Sequence, residues 1–424
     1  MPPPWADMVF AGWSARDVSL GNPRERFYKR IEILPDWVAW AGTLLGLAVL
    51  VELTRLGSLF FRGLRAEARM AGALKECAVE SLPFVSVIVP AKDEALHIAE
   101  TVRSVLASDY ADFELILVND RSSDKTLEII ESFARDDSRI RVLSIESLPE
   151  GWTGKTHALY RAAEQAEGDV LVFTDADALW SPDALKRTLK IFLASRLDML
   201  SLFPRFTVRG FCENVVYPHL AFGLSYFYPL PEVNDPAKSA ALACGFFIVI
   251  RKQTYVEAGT WKRFRGEVTE DVALSKTVKA NGGRLMIMRD GPRVRTRSFE
   301  GLPDICRFWK RTLYGALEKS IPRIAHLLAN YVVLFILSMF FVLALVTVAL
   351  GGRTGVELAA LAVTGFGTLG VIVPLVVFLR QEGASWTWAL AAPVGLAISA
   401  WIAFIALVAI VSDTGIEWRG SRYK

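Results

Sequence analysis

Four short apolar runs, rich in β-branched residues, are each followed by a stretch whose apolar positions recur at helical spacing. The pairs are Val85 to Pro90 with Glu94 to Leu106, Phe113 to Val118 with Ser123 to Phe133, Ile140 to Ile145 with Thr156 to Ala166, and Val170 to Phe173 with Pro182 to Leu193. Strands that are apolar almost throughout are buried on both faces, so the alternation predicts an α/β fold: a doubly wound, mostly parallel sheet with helices on both faces. Such sheets bind ligands in the crevice beyond the carboxyl ends of their strands.

A second pattern flanks this one. Leu327 to Gly352, Leu358 to Leu379 and Gly383 to Ser412 carry no charge and each reach the roughly 20 residues a bilayer crossing needs. They are expected to be three transmembrane helices. Trp37 to Val51 is also charge-free, and Glu52 with Arg55 can pair at i, i+3 before apolar character resumes through Phe61, which makes a fourth span. This span lies too far in, behind too many polar residues, for a cleaved signal peptide. The resulting plan is a tail over 1–35, a span over 36–61, a linker over 62–80, a folded domain over 81–300, an amphipathic interfacial helix over 301–322, three spans over 323–412 and a tail over 413–424.

Composition agrees with a chain divided between water and lipid: 52% of its 424 residues are apolar and 22% charged. The formal net charge is only +3, so no nucleic-acid partner is expected. The four cysteines, Cys77, Cys212, Cys244 and Cys306, form no C-x-x-C pair, which argues for free thiols over a zinc site or disulfide framework. The C-terminal spans hold no ionisable residue in their middle, whereas pumps and proton relays need one. These helices either scaffold the domain or form a groove for a lipid tail.

The strand ends carry the chemistry, and they are acidic. The first strand ends in Pro90-Ala-Lys-Asp93-Glu94, the second in Asn119-Asp120-Arg-Ser-Ser-Asp124 and the fourth in Thr174-Asp175-Ala-Asp177. No glycine-rich dinucleotide or P-loop run comes after a strand. Asp175 and Asp177, at i and i+2 as the chain leaves a strand, can turn to one side and hold a Mg²⁺ or Mn²⁺ ion, which completes its shell with water and phosphate oxygens. Aspartates after strands are also common turn and cap residues. Farther on, Thr269-Glu270-Asp271 precedes the amphipathic stretch Val272 to Ala280. Glu270 suits a helix N-terminus, and Asp271 is the better candidate for a base that takes a proton from an attacking hydroxyl.

Together, Val87-Ile-Val-Pro-Ala-Lys-Asp-Glu94, Val118-Asn-Asp-Arg-Ser-Ser-Asp124, Asp175-Ala-Asp177 and Thr269-Glu-Asp271 resemble the family 2 glycosyltransferases of GT-A fold, over about residues 84–312. The resemblance implies that Pro90, Ala91, Glu94 and Asp120 contact the nucleoside. It also implies that Asp175, Ala176 and Asp177 meet the diphosphate, with the metal held by Asp175 and Asp177, and that Asp271 is the base of an inverting displacement. A narrower likeness joins Pro149-Glu-Gly-Trp-Thr-Gly-Lys155 to membrane-bound members acting on carotenoid-type and hopanoid-type lipids. Lys155, at a helix start near the rim, is expected on the nucleotide sugar or as a solvated lysine; Trp152 suits loop packing, and His157 is structural or surface.

Where polymer-making synthases of this family carry Q-x-x-R-W, the chain reads Cys306-Arg-Phe-Trp-Lys-Arg311, which weakens a processive reading. Pro303 to Leu317 is expected to be an amphipathic helix that seats the domain on headgroups or brings Arg307, Lys310 and Arg311 to the leaving diphosphate. Phe211 to Pro231, aromatic but interrupted by Glu213 and His219, reads as interfacial and could line an acceptor entrance. Arg293, Arg295 and Arg297 alternate as in a strand and face either phosphates or anionic lipid.

The expectation is a membrane-anchored inverting glycosyltransferase. It moves a sugar from a UDP- or GDP-sugar to a lipid acceptor, an isoprenoid hydroxyl or carboxylate, with a divalent metal. Its catalytic domain faces the cytoplasm from an inner or plasma membrane, because nucleotide sugars are made there; basic residues divide too evenly to orient it. The rivals are transfer to a polyprenyl phosphate, polysaccharide synthesis, nucleotidyl transfer and a non-catalytic membrane scaffold.

Overall fold

The computed structural model describes residues 81–206, 210–290, 293–297, 299–350, 355–418 and 421–423, with scattered positions between 51 and 65. The expected N-terminal span, its preceding tail, the 62–80 linker and Cys77 therefore lie wholly or almost wholly outside the described residues. Leu53–Lys424 form one compact unit, which holds every element named below.

Among the described residues the main sheet has seven strands in the order β3-β2-β1-β4-β8-β6-β9. The first four in sequence are β1 (Val85–Ala91), β2 (Phe113–Asp120), β3 (Ile140–Ile145) and β4 (Val170–Thr174), all mutually parallel where they pair. Every residue of β2 is buried, and so is every residue of β1 except Pro90. That double coverage accounts for the unbroken apolar runs. The far half comprises β8 (Phe247–Arg251), β6 (Met199–Phe203) and β9 (Leu285–Arg289). β8 runs against its neighbours, with Thr174 opposite Phe247 and Val170 opposite Arg251. Its start therefore meets the end of β4, and the turn Cys244–Phe246 arrives at the carboxyl rim. A small second sheet, β5 (Ala178–Trp180), β10 (Val294–Thr296) and β7 (Arg205–Phe206), extends that rim.

The first helix after β1, α1, spans Ile98–Leu106, a turn later than the periodicity predicts. Residues before it are occupied by a clasp between two strand ends. The Glu94 amide donates to Thr126 Oγ1 (2.8 Å), the Ala95 amide to Asp124 Oδ2 (2.9 Å) and the Ser123 amide to Asp93 Oδ1 (2.7 Å). Asp93 and Arg121 take left-handed backbone angles, φ 54° and 55°, to close it. Helices α2 (Thr126–Asp136), α3 (Gly154–Gln165) and α4 (Ala184–Ala194) come after their strands as expected.

Among the described residues three helices are long and apolar enough to cross a membrane. These are α11 (Ile321–Ala349), α12 (Gly355–Gln381) and a 3₁₀ turn, Trp386–Ala391, continuing into α13 (Ala392–Val411), near the three expected stretches. The region Phe211 to Pro231 differs from its expectation. Most of it is helix α5 (Phe211–Phe227), and Glu213 through Leu220 are buried within the protein, not laid on a surface. α5 packs on α13 at Gly395, which lies so close to the Val215 carbonyl and the His219 ring that a Cβ would collide with both. The Tyr331 hydroxyl of α11 donates to the His219 carbonyl (3.0 Å). Because no side chain intervenes at Gly395, the backbones can approach, and this contact couples the domain to its apolar helices.

At the amino ends of the strands, away from the rim, Glu114 is 6% exposed. Its Oε1 accepts from Ser86 Oγ (2.6 Å) and the Glu167 amide (2.7 Å), and its Oε2 from Arg141 Nη1 (3.0 Å). Removing the carboxylate strands those donors, which is the costly side of hydrogen bonding. Glu114→Ala should cost about 2–3 kcal/mol and lower the thermal midpoint of the detergent-purified protein by several degrees. Ligand affinity at the opposite rim should be unchanged, measured on the same preparation.

Candidate active site

The carboxyl rim encloses a cavity of about 400 Å³. Pro90, Ala91 and Glu94 come to it from the end of β1, Asp120 from β2, Lys155 from the start of α3, and Asp175, Ala176 and Asp177 from the end of β4. Eight of the nine residues singled out in the sequence thus line one cavity. The ninth, Asp271, is not among the lining residues; its neighbour Glu270 is.

Asp120 is 3% exposed and held by the next residue, with Arg121 Nε on Oδ1 at 2.8 Å and Nη2 on Oδ2 at 3.1 Å. Gly154, the first residue of α3, abuts this pair so tightly that a Cβ would strike Asp120 Oδ2. A glycine is required there for the helix N-terminus to approach the carboxylate. The approach is electrostatically favourable, because the N-terminal end of a helix dipole attracts negative charge. Thr153 caps α3, its Oγ1 accepting from the Thr156 amide (3.2 Å), and its own amide donates to the Arg265 carbonyl (2.7 Å). Trp152 packs on His157 and Tyr160, with ring centroids 5.3 and 5.1 Å apart, so its place is loop packing and His157 is buried structure.

Lys155 sits between the two acidic motifs. Its Nζ lies 2.7 Å from Asp175 Oδ1 and 3.0 Å from Glu270 Oε1. Burial opposes the ammonium charge, but Asp175, Glu270 and Asp271 outweigh it and hold the lysine above its usual range. Gly245 lies beside the group: a Cβ there would stand 2.9 Å from Lys155 Nζ and 3.3 Å from Asp271 Oδ2. The absence of a side chain is again what admits the charges.

Helix α9 (Glu270–Ala280) carries Asp271 in its first turn. Asp271 Oδ2 accepts from the Gly245 amide (2.7 Å) and Oδ1 from the Val272 amide (2.9 Å). Burial, then the charge of Glu270, push this carboxyl up to about 6, against the opposing pull of Lys155 and the two amides. Asp177 takes a different set of partners: Thr296 Oγ1 donates to its Oδ2 (3.3 Å), and Arg297 Nε lies 3.5 Å away. Among the described residues no group of three or more His, Cys, Asp or Glu side chains is placed to hold a metal. Asp175 and Asp177 offer two carboxylates at one edge of a roomy cavity. That fits an ion bound by one or two carboxylates together with substrate phosphate, and does not fit an all-protein cage.

Phe206, Phe246 and Phe299 have no signal in the sequence, whereas Arg297, Arg307 and Arg311 are expected near phosphate or lipid. Phe206, Phe246, Phe299 and Phe308 form an apolar side to the cavity, and Arg297, Arg307 and Arg311 add positive charge. Phe246 reaches the rim only because β8 is reversed, which apolar periodicity does not reveal. The amphipathic helix is present as α10 (Leu302–Ala316); it buries Ile305, Trp309 and Leu313 and turns Arg307, Phe308 and Arg311 to the cavity. The alternating arginines diverge: Arg297 reaches Asp177, Arg295 is exposed, and Arg293 pairs with Asp183 (2.7 Å) and Asp290 (3.2 Å) as part of the framework. Among the described cysteines, Cys212, Cys244 and Cys306 are free.

Residues 86–255, which carry most of the rim, match the family model Glycosyl transferase family 2. The matched segment holds six of the seven strands of the main sheet, and three apolar helices come after it in the same chain. The chain is 30% identical over 179 residues to a beta-monoglucosyldiacylglycerol synthase of Trichormus variabilis, covering 39% of this chain and 36% of the relative. It is 26% identical over 235 residues to a poly-beta-1,6-N-acetyl-D-glucosamine synthase of Staphylococcus aureus, covering 54% of each. The match thus spans about a third to a half of these relatives' length. The mannosyltransferase PcManGT from Pyrobaculum calidifontis, solved with GDP-Man and Mn2+, aligns with 87% of this chain and 99% of its own at 18% identity and a TM-score of 0.48.

Lys155 is the cation that restrains proton uptake by Asp271. Lys155→Met should therefore raise the Asp271 carboxyl above about 6. A pH titration of the carboxyl bands by difference infrared spectroscopy, with Asp271→Asn identifying the band, measures the shift; an unmoved band would show that the two groups are not coupled.

Proposed function

We propose that the protein is a membrane-anchored inverting glycosyltransferase that moves one sugar from a nucleotide sugar to a lipid acceptor. The observation carrying this reading is the convergence of the strand-end residues on one cavity, in a chain that continues into three apolar helices. The water-soluble donor, a UDP- or GDP-sugar, meets the rim from the cytoplasm of an inner or plasma membrane, and the apolar acceptor arrives through the bilayer. One of the relatives is named for synthesis of a glycosylated diacylglycerol, which supports a lipid acceptor. The Gly-Trp-Thr-Gly-Lys155 segment favours an isoprenoid of carotenoid or hopanoid type, bearing a hydroxyl or carboxylate.

In this reading Pro90, Ala91, Glu94 and Asp120 hold the nucleoside, and Lys155 with Asp175 and Ala176 meets the diphosphate. Asp175 and Asp177 would hold Mg²⁺ or Mn²⁺, which supplies positive charge against the departing diphosphate. Asp271 takes the proton from the acceptor hydroxyl as its oxygen bonds to the anomeric carbon and the bond from that carbon to the diphosphate oxygen breaks. Lys155 links these events. A diphosphate competes with Asp175 and Glu270 for its ammonium, and when Lys155 turns to phosphate, Asp271 loses the cation that lowers its proton affinity and becomes a stronger base. The same movement uncovers Asp271, which stands next to the cavity and not on its lining.

Two measurements test the reading. With detergent-purified protein, a nucleotide-sugar panel and a lipid extract, nucleoside diphosphate release should need metal, and Asp177→Ala should weaken metal-dependent donor binding about tenfold or more. Asp271 must be ionised to accept a proton, so kcat/KM should fall about tenfold per pH unit as pH drops below about 6. Asp271→Asn should lower kcat by about 10²–10⁴ and erase that acidic limb. If Asp271→Asn keeps near-normal turnover, the acceptor is already an anion, and transfer to a polyprenyl phosphate replaces transfer to a hydroxyl. If no donor binds, the scaffold reading takes over.

A further inference from the structure

The cavity is divided by chemistry along the rim. On the side of β2, β1 and β4 it is lined by carboxylates and Lys155; beyond β4, where β8 begins and β6 ends, four phenylalanines line it, with Arg297, Arg307 and Arg311 beside them. Phe246 comes directly after Gly245, whose amide binds Asp271, and its carbonyl accepts from Thr174 Oγ1 (2.7 Å) at the foot of the Asp175 motif. Phe206 lies at the centre, with ring centroids 5.8 Å from Phe246, 5.6 Å from Phe299 and 6.3 Å from Phe308. Phe206 and Phe299 are stacked 13° from parallel. Phe246, Phe299 and Phe308 are half-buried. None of these four side chains has a hydrogen-bond donor or acceptor.

The aromatic contacts continue away from the cavity towards the apolar helices. Phe206 meets Tyr217 at 4.6 Å, Tyr217 meets Phe378 of α12 at 5.7 Å, and Phe378 meets Phe222 at 5.4 Å. Phe222 in turn lines a separate cavity of about 150 Å³ between α5, α11, α12 and α13, with Leu327, Leu334, Val371 and Leu375. A run of aromatic rings, with Arg289 stacked on Phe378 at 5.0 Å, therefore joins the rim beside Asp271 to the membrane-spanning helices.

We infer that Phe206, Phe246, Phe299 and Phe308 are the acceptor subsite, and that they take the apolar skeleton of a lipid alcohol whose hydroxyl is thereby set before Asp271. The inference rests on the glycosyltransfer reading and deepens it, because it selects among acceptors. A sugar acceptor needs hydrogen bonds to its ring hydroxyls, and the phenylalanines supply none, the nearby donors being the charged guanidinium groups of Arg297, Arg307 and Arg311, which suit phosphate; a polycyclic or isoprenoid skeleton needs contact area, which the four rings do supply. The occupant is argued from continuity of the four rings with the aromatic run to the spanning helices, and from their adjacency to the Gly245 amide that holds Asp271. Phe299 and Phe308, half-buried and facing the cavity, are its specificity-determining residues.

The test uses the full-length protein in detergent, the nucleotide sugar it turns over, and geranylgeraniol and cellobiose as alternative acceptors. Phe299→Ser and Phe308→Ser should raise KM for geranylgeraniol about tenfold or more, from lost apolar contact. Phe299→Leu and Phe308→Leu, which restore apolar bulk, should recover most of that loss. Nucleoside diphosphate affinity should stay within about twofold in all four variants, since donor and acceptor contacts are separate, and this also reports that they are folded. An unchanged KM for geranylgeraniol in both serine variants overturns the subsite. Glycosylation of cellobiose with geranylgeraniol inert also overturns it while leaving glycosyltransfer standing. A wild-type protein that binds no nucleoside diphosphate overturns the glycosyltransfer reading, and the subsite falls with it.

Discussion

A sheet covered by helices on both faces has nowhere to keep charge except at its two ends. β1 and β2 are buried almost throughout, so the polar residues their sequences carry are pushed to the strand termini. At the amino ends the solution is structural: Glu114, Ser86 and Arg141 satisfy one another. At the carboxyl ends the loops part around a cavity and the acids face it. The difference lies in the backbone turn that succeeds each strand. After Asp120 comes a left-handed Arg121, and after Asp175 a turn into β5, and each geometry holds the carboxylate against the rim.

Crowding carboxylates at one rim is costly unless a cation is shared among them, and Lys155 fills that place. It reaches Asp175 and Glu270 together because two glycines, Gly154 and Gly245, remove the side chains that would separate the loops. The arrangement is stable yet exchangeable. An ammonium held by carboxylates can be taken over by a stronger anion, and a diphosphate is one. In the proposed reaction, donor binding and activation of Asp271 would both be consequences of one ion's change of partner.

The four parallel strands β1 to β4, and the eight candidate residues that line one cavity, were legible in the sequence, because parallel strands announce themselves as apolar runs and the acids come directly after. The features that escaped were set by tertiary contact. The delayed start of α1 depends on Asp93 and Asp124 clasping across about thirty residues of sequence, which no local pattern encodes. The aromatic stretch of α5 looked interfacial because burial of Glu213 and His219 depends on a neighbour, α13, almost two hundred residues away. The reversal of β8 hid Phe246 for the same reason: direction is decided by pairing with β4 and β6, while Phe247–Arg251 reads identically either way.

Taken along its length, the rim changes from carboxylate and amide at β2 and β1, through the shared cation at β4, to phenylalanine flanked by arginine where β8 begins and β6 ends, and then to the apolar helices. This ordering is a solubility gradient built into strand order. In the proposed reaction the nucleotide sugar would be too polar for the aromatic end and the lipid skeleton too apolar to displace it from the acidic end, so desolvation cost would exclude each from the other's half. The two can meet only at the boundary between the halves. Gly245 and Phe246 mark that boundary, and the amide of the first holds the carboxylate that must act there. The position of the proposed base is thus set by where the gradient crosses over, at the junction of the parallel half of the sheet with its single reversed strand.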